Sequence, residues 1–375
     1  MRSSRTLVIL GLITLAVVLA AIFGRQESTA IPRQGERVFP QLMANINDVT
    51  EVVGQSSTDT FTLNHRDDRW VVKERAGYPA DVDKVHQLLV GTAQLQRVEP
   101  KTRNPELYKK IGVEDVNKAG AKSVQISVKN ANGSTLAEFI LGERRWGAGD
   151  PNVSQYYVRL ADDPQAWLVE GNFPQEKSAT SWLDDEILAI DSARVREVRV
   201  THPKRHKVTV RRRDPNANDY QLVGLPEGAE LESQWTVNGI ANTLTNLTLD
   251  DVRPASDIKF KKRPDLSVEL DTFDGLRVNM KTMKEGDKNL ARISAKFDRA
   301  LIREDAEAKS DPEQSETEDA SNKSKLKDPE AVKKEAEKLT ARWQDWVYVV
   351  PQYHIDSLAK KKADLIKPKN KQETR

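Results

Sequence analysis

The chain contains no cysteine among its 375 residues. This absence excludes disulfide bonds, thiolate nucleophiles, cysteine-ligated zinc sites and lipid attachment to an N-terminal cysteine. The chain also lacks a strong excess of either charge, because 59 Lys and Arg residues face 57 Asp and Glu residues and the formal net charge is only +2. Without a strong overall field to attract a polyanion, we expect no nucleic-acid partner.

Motifs that would indicate enzyme chemistry are missing as well. The sequence has no nucleophile-elbow serine, no phosphate-binding loop and no dinucleotide-binding glycine pattern. Acidic doublets such as Asp184-Asp185 would point to opposite faces of a strand. His202 and His206 lie among Lys and Arg residues, which disfavour a metal ion, and His354 is expected at the surface. We therefore predict no catalytic residue, no metal site and no cofactor.

The first thirty residues carry the only long apolar run. Arg2 and Arg5 precede an uncharged segment from Leu7 to Phe23, and Arg25 closes it. Two interpretations compete, a cleaved signal peptide and a retained anchor, and the length of the run favours the anchor. Residues 1–30 are then a cytoplasmic tip and a transmembrane helix, because positive charges stay inside. The bulk of the chain would lie in the periplasm of a bacterium, on a single-pass inner-membrane protein.

Beyond the anchor, the same order of patterns occurs twice. Residues 38–190 and 191–366 each begin with an alternating hairpin, continue with one amphipathic helix and end with further strands. Asp81 is the predicted N-cap of the first helix. Asn132-Gly133 and Asp274-Gly275 predict tight turns. The expected fold class is α+β, with two tandem repeats of antiparallel sheet and a packed helix.

Four aromatic residues occupy strand positions in this pattern. Trp70 and Tyr220 are equivalent in the two copies, as are Trp167 and Tyr348. Trp70, Trp167 and Tyr348 could instead form a carbohydrate-stacking platform with Tyr353. Core positions are the usual fate of aromatic residues on apolar strands, and we expect burial.

The second copy also carries an insertion at 299–342. Its first part has eight Asp and Glu residues between Arg303 and Asn322 and almost no apolar side chain, which predicts an acidic disordered loop. Its second part has helix-forming composition with a proline at the start. Residues 367–375 form a basic tail.

The phrases "RWVV", "IGVED", "ILGE", "AWLV" and "SWLDDEIL", together with the anchor and the duplication, resemble a bacterial family catalogued as domain of unknown function 4340. The resemblance implies a membrane-anchored extracytoplasmic protein associated with gliding-motility-type ABC transporters. It implies no catalytic residues.

From this resemblance we expect an accessory or interaction protein of an ABC-type export or gliding-motility-like system, with no catalysis of its own. Its partners would be the inner membrane and a permease or substrate-binding-like subunit. The alternatives are a cell-envelope polysaccharide- or lipid-binding module and an uncharacterised hydrolase.

One surface feature stands out in the pattern of charges. Residues 194–213 carry nine Lys and Arg residues against Glu197 alone. In a hairpin the residues opposite the inward valines would form a basic face, which is either a solvated surface or a contact for acidic lipid headgroups, an envelope polymer or an acidic partner. The acidic loop that begins at Arg303 could also be its counterpart within the chain. The residues predicted for such an anionic contact are Arg199, Lys204, Arg205, Lys207, Arg211, Arg212 and Arg213.

Overall fold

A computed structural model describes residues 35–145, 154–302 and 326–368. These residues form a mixed α+β structure of mostly antiparallel sheet with few helices, so the predicted fold class is confirmed. The predicted anchor Leu7–Phe23, the acidic part of the insertion and most of the basic tail lie outside the described residues. Within the described part of the chain, no helix has the length and apolar character needed to cross a membrane.

The strands and helices are numbered in chain order. The strands are β1 (Val49–Gln55), β2 (Thr60–Arg66), β3 (Arg69–Val72), β4 (Tyr78–Pro79), β5 (Gln96–Thr102), β6 (Val124–Asn130), β7 (Thr135–Arg145), β8 (Ser154–Leu160), β9 (Ala166–Gly171), β10 (Glu186–Ala189), β11 (Val195–Thr201), β12 (Lys207–Arg211), β13 (Gln221–Leu222), β14 (Asn246–Thr248), β15 (Asp251–Pro254), β16 (Leu266–Thr272), β17 (Leu276–Glu285), β18 (Lys288–Phe297) and β19 (Trp346–Val350). The helices are α1 (Val82–Gln94), α2 (Pro105–Ile111), α3 (Gln234–Asn242), α4 (Pro329–Trp343) and α5 (Gln352–Leu358).

The chain divides into two compact units. The first contains the described residues up to Thr58 together with His86–Gln175, and the second contains Asp59–Val85 together with the described residues from Glu176 onward. The hairpin β2–β3 therefore groups with the second unit. The predicted division into 38–190 and 191–366 stays a prediction about the sequence repeat.

In the first unit, six strands lie side by side in the order β1-β6-β7-β8-β9-β5. Helix α2 is fixed at both ends by its sequence: the Asn104 side chain accepts from the N–H of Glu106 at 3.0 Å, and Gly112 ends the helix with a φ of 69°. Helix α1 approaches the chain after β9 so closely that a Cβ on Gly91 would lie 2.4 Å from the carbonyl oxygen of Asn172. A side chain at position 91 would therefore force the backbones apart.

Helix α1 begins where the sequence predicted. Asp81 accepts a hydrogen bond from the N–H of Lys84 at 3.0 Å, so the predicted N-cap is confirmed. Val85, Leu88 and Leu89 form its buried stripe.

In the second unit, eight strands lie in the order β13-β12-β11-β16-β17-β18-β19-β15. Helix α4 packs on β18, buries Val332, Ala336 and Trp343, and begins at Pro329 with Asp328 accepting from the N–H of Ala331. The helix predicted for the second half of the insertion is therefore confirmed.

The aromatic residues expected in the core are buried. Trp70, Trp167, Tyr220 and Tyr348 are each at most 7% exposed, whereas Tyr353 is 59% exposed. The expected surface position of His354 is wrong, because this residue is 5% exposed and its Nε2 lies 3.3 Å from Thr248 Oγ1.

Candidate functional site

The predicted basic hairpin is β11–β12, and the structure divides its cations into two groups. Lys204 and Lys207 are exposed at the turn between the two strands, and Lys204 has a φ of 64°. The side chain of Arg205 lies outside what the structure describes. The remaining four predicted residues line one cavity at the opposite end of the hairpin, and they are Arg199, Arg211, Arg212 and Arg213.

The register of four neighbouring strands explains how charges collect there. Glu197 on β11 lies opposite Arg211 on β12 and opposite Asp271 on β16, and Asp271 lies opposite Arg277 on β17. Directly opposed residues on one face of an antiparallel sheet have Cβ atoms about 5 Å apart. The sheet therefore carries a continuous row of two carboxylates between two arginines.

Arginine pairing compensates both buried carboxylates of this row. Arg199 contacts Glu197, Glu269 and Asp271, and Arg211 contacts Glu197. Arg277 donates from Nε to Asp271 Oδ1 at 2.6 Å. Glu197 and Asp271 are 3% and 0% exposed, so these carboxylates are shielded from water.

The charge state of Asp271 follows from this pairing. Burial alone would raise its pKa, but hydrogen bonds from Arg277 and Arg199 outweigh burial and hold the pKa below its usual value. The hydrogen bond to Asp271 raises the pKa of Arg277 in turn. Asp271 is therefore ionised at neutral pH.

Arg212 does not belong to the exposed basic face to which we assigned it. It is 6% exposed, because strand alternation puts position 212 in phase with the buried Val208 and Val210. Its guanidinium donates to the carbonyl oxygens of Ala217 and Val195 at 2.9 and 3.0 Å and also contacts that of Ser192. It also lies 4.8 Å from the ring centroid of Tyr220.

The partners of Arg212 are carbonyl oxygens and a ring, and none among the described residues is a carboxylate. Its Nε is buried and has no hydrogen-bond partner there. Arg213, the next residue, is exposed and has no ion pair or hydrogen bond within the described part of the chain. The guanidinium groups of these two consecutive residues are thus uncompensated by any described carboxylate.

The cavity has a volume of about 680 Å³. This volume falls within the range of small-molecule sites. A register shift between Val195 and Glu197 in the β11–β16 pairing marks a bulge at Arg196, a device that often redirects side chains beside binding sites. The lining residues are six arginines, two carboxylates and two apolar residues: Arg196, Arg199, Arg211, Arg212, Arg213, Arg277, Glu197, Asp271, Ala300 and Leu301.

Sequence reasoning predicted four of the ten lining residues. Glu269, Asp271 and Arg277 lie more than fifty residues beyond the hairpin and were not predicted to join it. A local signal exists, since Glu269 and Asp271 are two residues apart and share a strand face. The pairing of β16 with β11 joins residues that are far apart in the sequence, so no local pattern predicts it.

A second buried ionic cluster lies beside the cavity-forming strands and anchors helix α4. Arg194, only 3% exposed at its side chain, donates from Nε to Asp274 Oδ2 at 2.6 Å. It also donates to both oxygens of Glu335 on α4, at 3.0 and 2.8 Å. Every guanidinium nitrogen of Arg194 thereby donates to a carboxylate, so this cluster holds α4 to the β16–β17 turn.

The histidines give the site no chemistry. His202 is 7% exposed, and burial lowers its pKa. It lies at the hairpin turn, where its N–H donates to the carbonyl oxygen of His206. The described residues contain no cluster of three or more His, Asp or Glu side chains arranged to hold a metal ion.

Chemically, the cavity presents fixed positive charge without a nucleophile among its lining residues. Arginine remains protonated at any physiological pH and presents a planar fork of donors that matches carboxylate and phosphate oxygens. An arrangement of this kind can bind an anion and orient it.

The fold and this cavity define an α+β protein with an arginine-lined cavity in its second unit. A family model described as "Domain of unknown function (DUF4340)" matches residues 70–266, and the chain belongs to this family. The family resemblance seen in the sequence is thereby confirmed. No curated protein and no solved structure matches the chain.

Proposed function

We propose that this chain is a non-catalytic accessory protein of an ABC-type export or gliding-motility-like transport system. Leu7–Phe23 holds it in the inner membrane, and the bulk of the chain lies in the periplasm. The apolar run with flanking arginines supports the anchor. Family membership over residues 70–266 supports the transporter association, because the family resemblance carries that implication.

One observation carries the proposal that the protein acts by binding. The hairpin β11–β12 gathers arginines around a cavity whose lining residues include no nucleophile. Such a surface attracts an acidic lipid headgroup or an acidic partner segment. We assign that contact to the second unit, with Lys204 and Lys207 extending the positive surface along the hairpin.

The same proposal includes an internal duplication of the α+β unit. Six strands of the second unit follow the order β11-β16-β17-β18-β19-β15, and six of the first follow β1-β6-β7-β8-β9-β5. The two orders match position by position when the strands are numbered within each copy. In each copy a helix comes before the strand that ends this order in the sheet. Helix α1 comes before β5 in the sequence, and helix α3 comes before β15.

The test uses the full chain with a C-terminal affinity tag in a bacterium that encodes it. The protein should remain in the membrane pellet after an alkaline carbonate wash. Capture from detergent-solubilised membranes should enrich a named subunit, an ABC permease or a substrate-binding-like protein. A soluble periplasmic form that begins near Ile31 would refute the anchor, and capture without any transporter subunit would refute the accessory role.

The contribution of the hairpin is tested by replacing Lys204 and Lys207 with Gln in the same experiment. Both side chains are exposed, so stability should change little. Arg292→Gln, an exposed change of one charge on β18, is the matched control. Weaker capture in the hairpin variant alone supports the assignment, and equal capture in all three proteins contradicts it.

A further inference from the structure

We propose that the arginine-lined cavity of the second unit is a binding site for a ligand that carries a phosphate or diphosphate group. The inference rests on the proposed function only in that the same hairpin contacts anions. It is independent of the membrane anchor and of the transporter partner.

The first step is the balance of charge around the cavity. Arg199, Arg211 and Arg277 pair with the carboxylates Glu197, Glu269, Asp271 and Asp298. Each of those carboxylates therefore already has an arginine partner. Arg212 and Arg213 line the same cavity and pair with no carboxylate of the described residues.

The second step is the environment of Arg212. A charge that is 94% buried is unfavourable unless it is paired or fully hydrogen-bonded. Carbonyl oxygens satisfy part of this guanidinium, but its Nε has no described partner and no carboxylate of the described residues offsets its charge. An anion in the cavity would supply the missing charge.

The third step is the identity of the anion. Two uncompensated guanidinium groups match the two charges of a phosphate monoester or diphosphate better than the single charge of a carboxylate. Arginine forks also bind phosphate oxygens in pairs, and Arg213 is exposed and has donors to spare. A cavity of about 680 Å³ accommodates a diphosphate together with part of an attached group.

A phosphate group of this kind could belong to a soluble molecule or to a lipid headgroup. The shared chemistry is the same, and the arms of the experiment separate the two sources. Both sources support the proposed site, provided that binding depends on the cavity arginines.

The experiment is calorimetric titration of the full chain in non-ionic detergent, at low salt and in a phosphate-free buffer, with inorganic pyrophosphate as the probe. Arg213→Gln and Arg213→Glu test the site, since an exposed side chain can be changed without unfolding the protein. Arg292→Gln is the control. We expect Arg213→Gln to weaken pyrophosphate about 10-fold, the loss typical of one charge-assisted hydrogen bond. Arg213→Glu should weaken it further, and the control should bind like the parent chain.

Two additional arms fix the ligand class and its source. Citrate at equal charge should bind at least 10-fold more weakly than pyrophosphate if phosphate geometry is recognised. Vesicles of phosphatidylcholine with phosphatidic acid, and vesicles with an equal charge of phosphatidylglycerol, test the headgroup. Competition of pyrophosphate against phosphatidic acid vesicles assigns a lipid source, and binding of pyrophosphate without vesicle binding assigns a soluble one.

Several results would overturn the inference. No heat of binding with pyrophosphate and no pyrophosphate-sensitive vesicle binding would do so, as would equal loss of affinity in the Arg292 control. Equal affinity for citrate would reduce the site to a general attraction for anions. In each case the capture of transporter subunits is unaffected, so failure of this site is distinguishable from failure of the proposed accessory role.

Discussion

Replacing Arg194 with Leu should destabilise the second unit strongly. The guanidinium makes two hydrogen bonds to Asp274, at 2.6 and 3.3 Å, and two to Glu335, at 3.0 and 2.8 Å. Loss of the arginine leaves Asp274 buried without a cationic side chain, while Glu335 retains only Lys327. Removing one partner of a buried ion pair costs about 3–5 kcal/mol, and we expect a loss of that size in the free energy of unfolding.

The pH dependence of this loss has a definite sign. Burial would raise the pKa of Glu335, but hydrogen bonds from Arg194 outweigh burial and hold it below its usual value of 4.5. In the parent chain the cluster therefore stabilises above about pH 4.5 and loses that contribution as the pH falls through the folded-state pKa. In the Leu variant Glu335 lacks the hydrogen bonds from Arg194 that lower its pKa, and acid neutralises its carboxylate. The stability difference between the two proteins should therefore shrink between pH 7 and pH 4.

The assay is urea unfolding of both proteins, followed by circular dichroism at pH 7, 5.5 and 4. Arg292→Leu, at an exposed position of β18, should change the free energy of unfolding by no more than about 0.5 kcal/mol. A loss below about 1 kcal/mol for Arg194→Leu, or a difference that grows on acidification, would show that the cluster does not anchor α4 as described.

Three further changes have expected outcomes. Gly91→Ala should destabilise the first unit by about 1–2 kcal/mol in thermal unfolding, because its Cβ would lie 2.4 Å from a carbonyl oxygen. The cost of this overpacking exceeds the stabilisation that alanine gives to a helix. Increased stability of the variant would contradict the close approach. Trp167→Ala, at 5% exposure, should lower the free energy of unfolding by about 3–5 kcal/mol, whereas Trp235→Ala, at 82% exposure, should change it by less than about 0.5 kcal/mol; similar effects would argue against the assigned core. Asp271→Asn should lower the melting temperature while strengthening pyrophosphate binding, because it removes a buried carboxylate between Arg199 and Arg277. If the melting temperature and the affinity for pyrophosphate both fell, Asp271 would have only a structural role.

Much of the local structure could be predicted from neighbouring residues. Asp81 caps α1, Pro329 begins α4, and the two predicted glycine turns occur, with φ of 77° at Gly133 and 99° at Gly275. Each of these depends on a few consecutive residues. The mixed α+β class follows in the same way from the period of the apolar residues.

The candidate site could be predicted only in part, because it depends on which strands become neighbours. The density of cations near Arg211 indicated the hairpin, and four of its seven predicted residues do line the cavity. The carboxylates on β16 neutralise part of the arginine charge, and they reach the cavity because β16 lies beside β11 in the sheet. The alternation of buried and exposed residues along the strand predicts that Arg212 is buried. The dense run of arginines instead suggested an exposed basic face.

The excess of arginine is not a requirement of this strand order. In the first unit, β1 and β6 are also neighbours, and their ionic contact is a simple pair between Glu51 and Lys129 at 3.1 Å. The corresponding neighbours in the second unit, β11 and β16, instead share two buried carboxylates with three arginines and border two more that no described carboxylate neutralises. Of these two, Arg213 is exposed and only Arg212 is buried, and a buried arginine is unfavourable for folding unless something compensates it. Since a sheet of the same order forms in the first unit without them, the strand order does not explain the burial of Arg212 in the second unit.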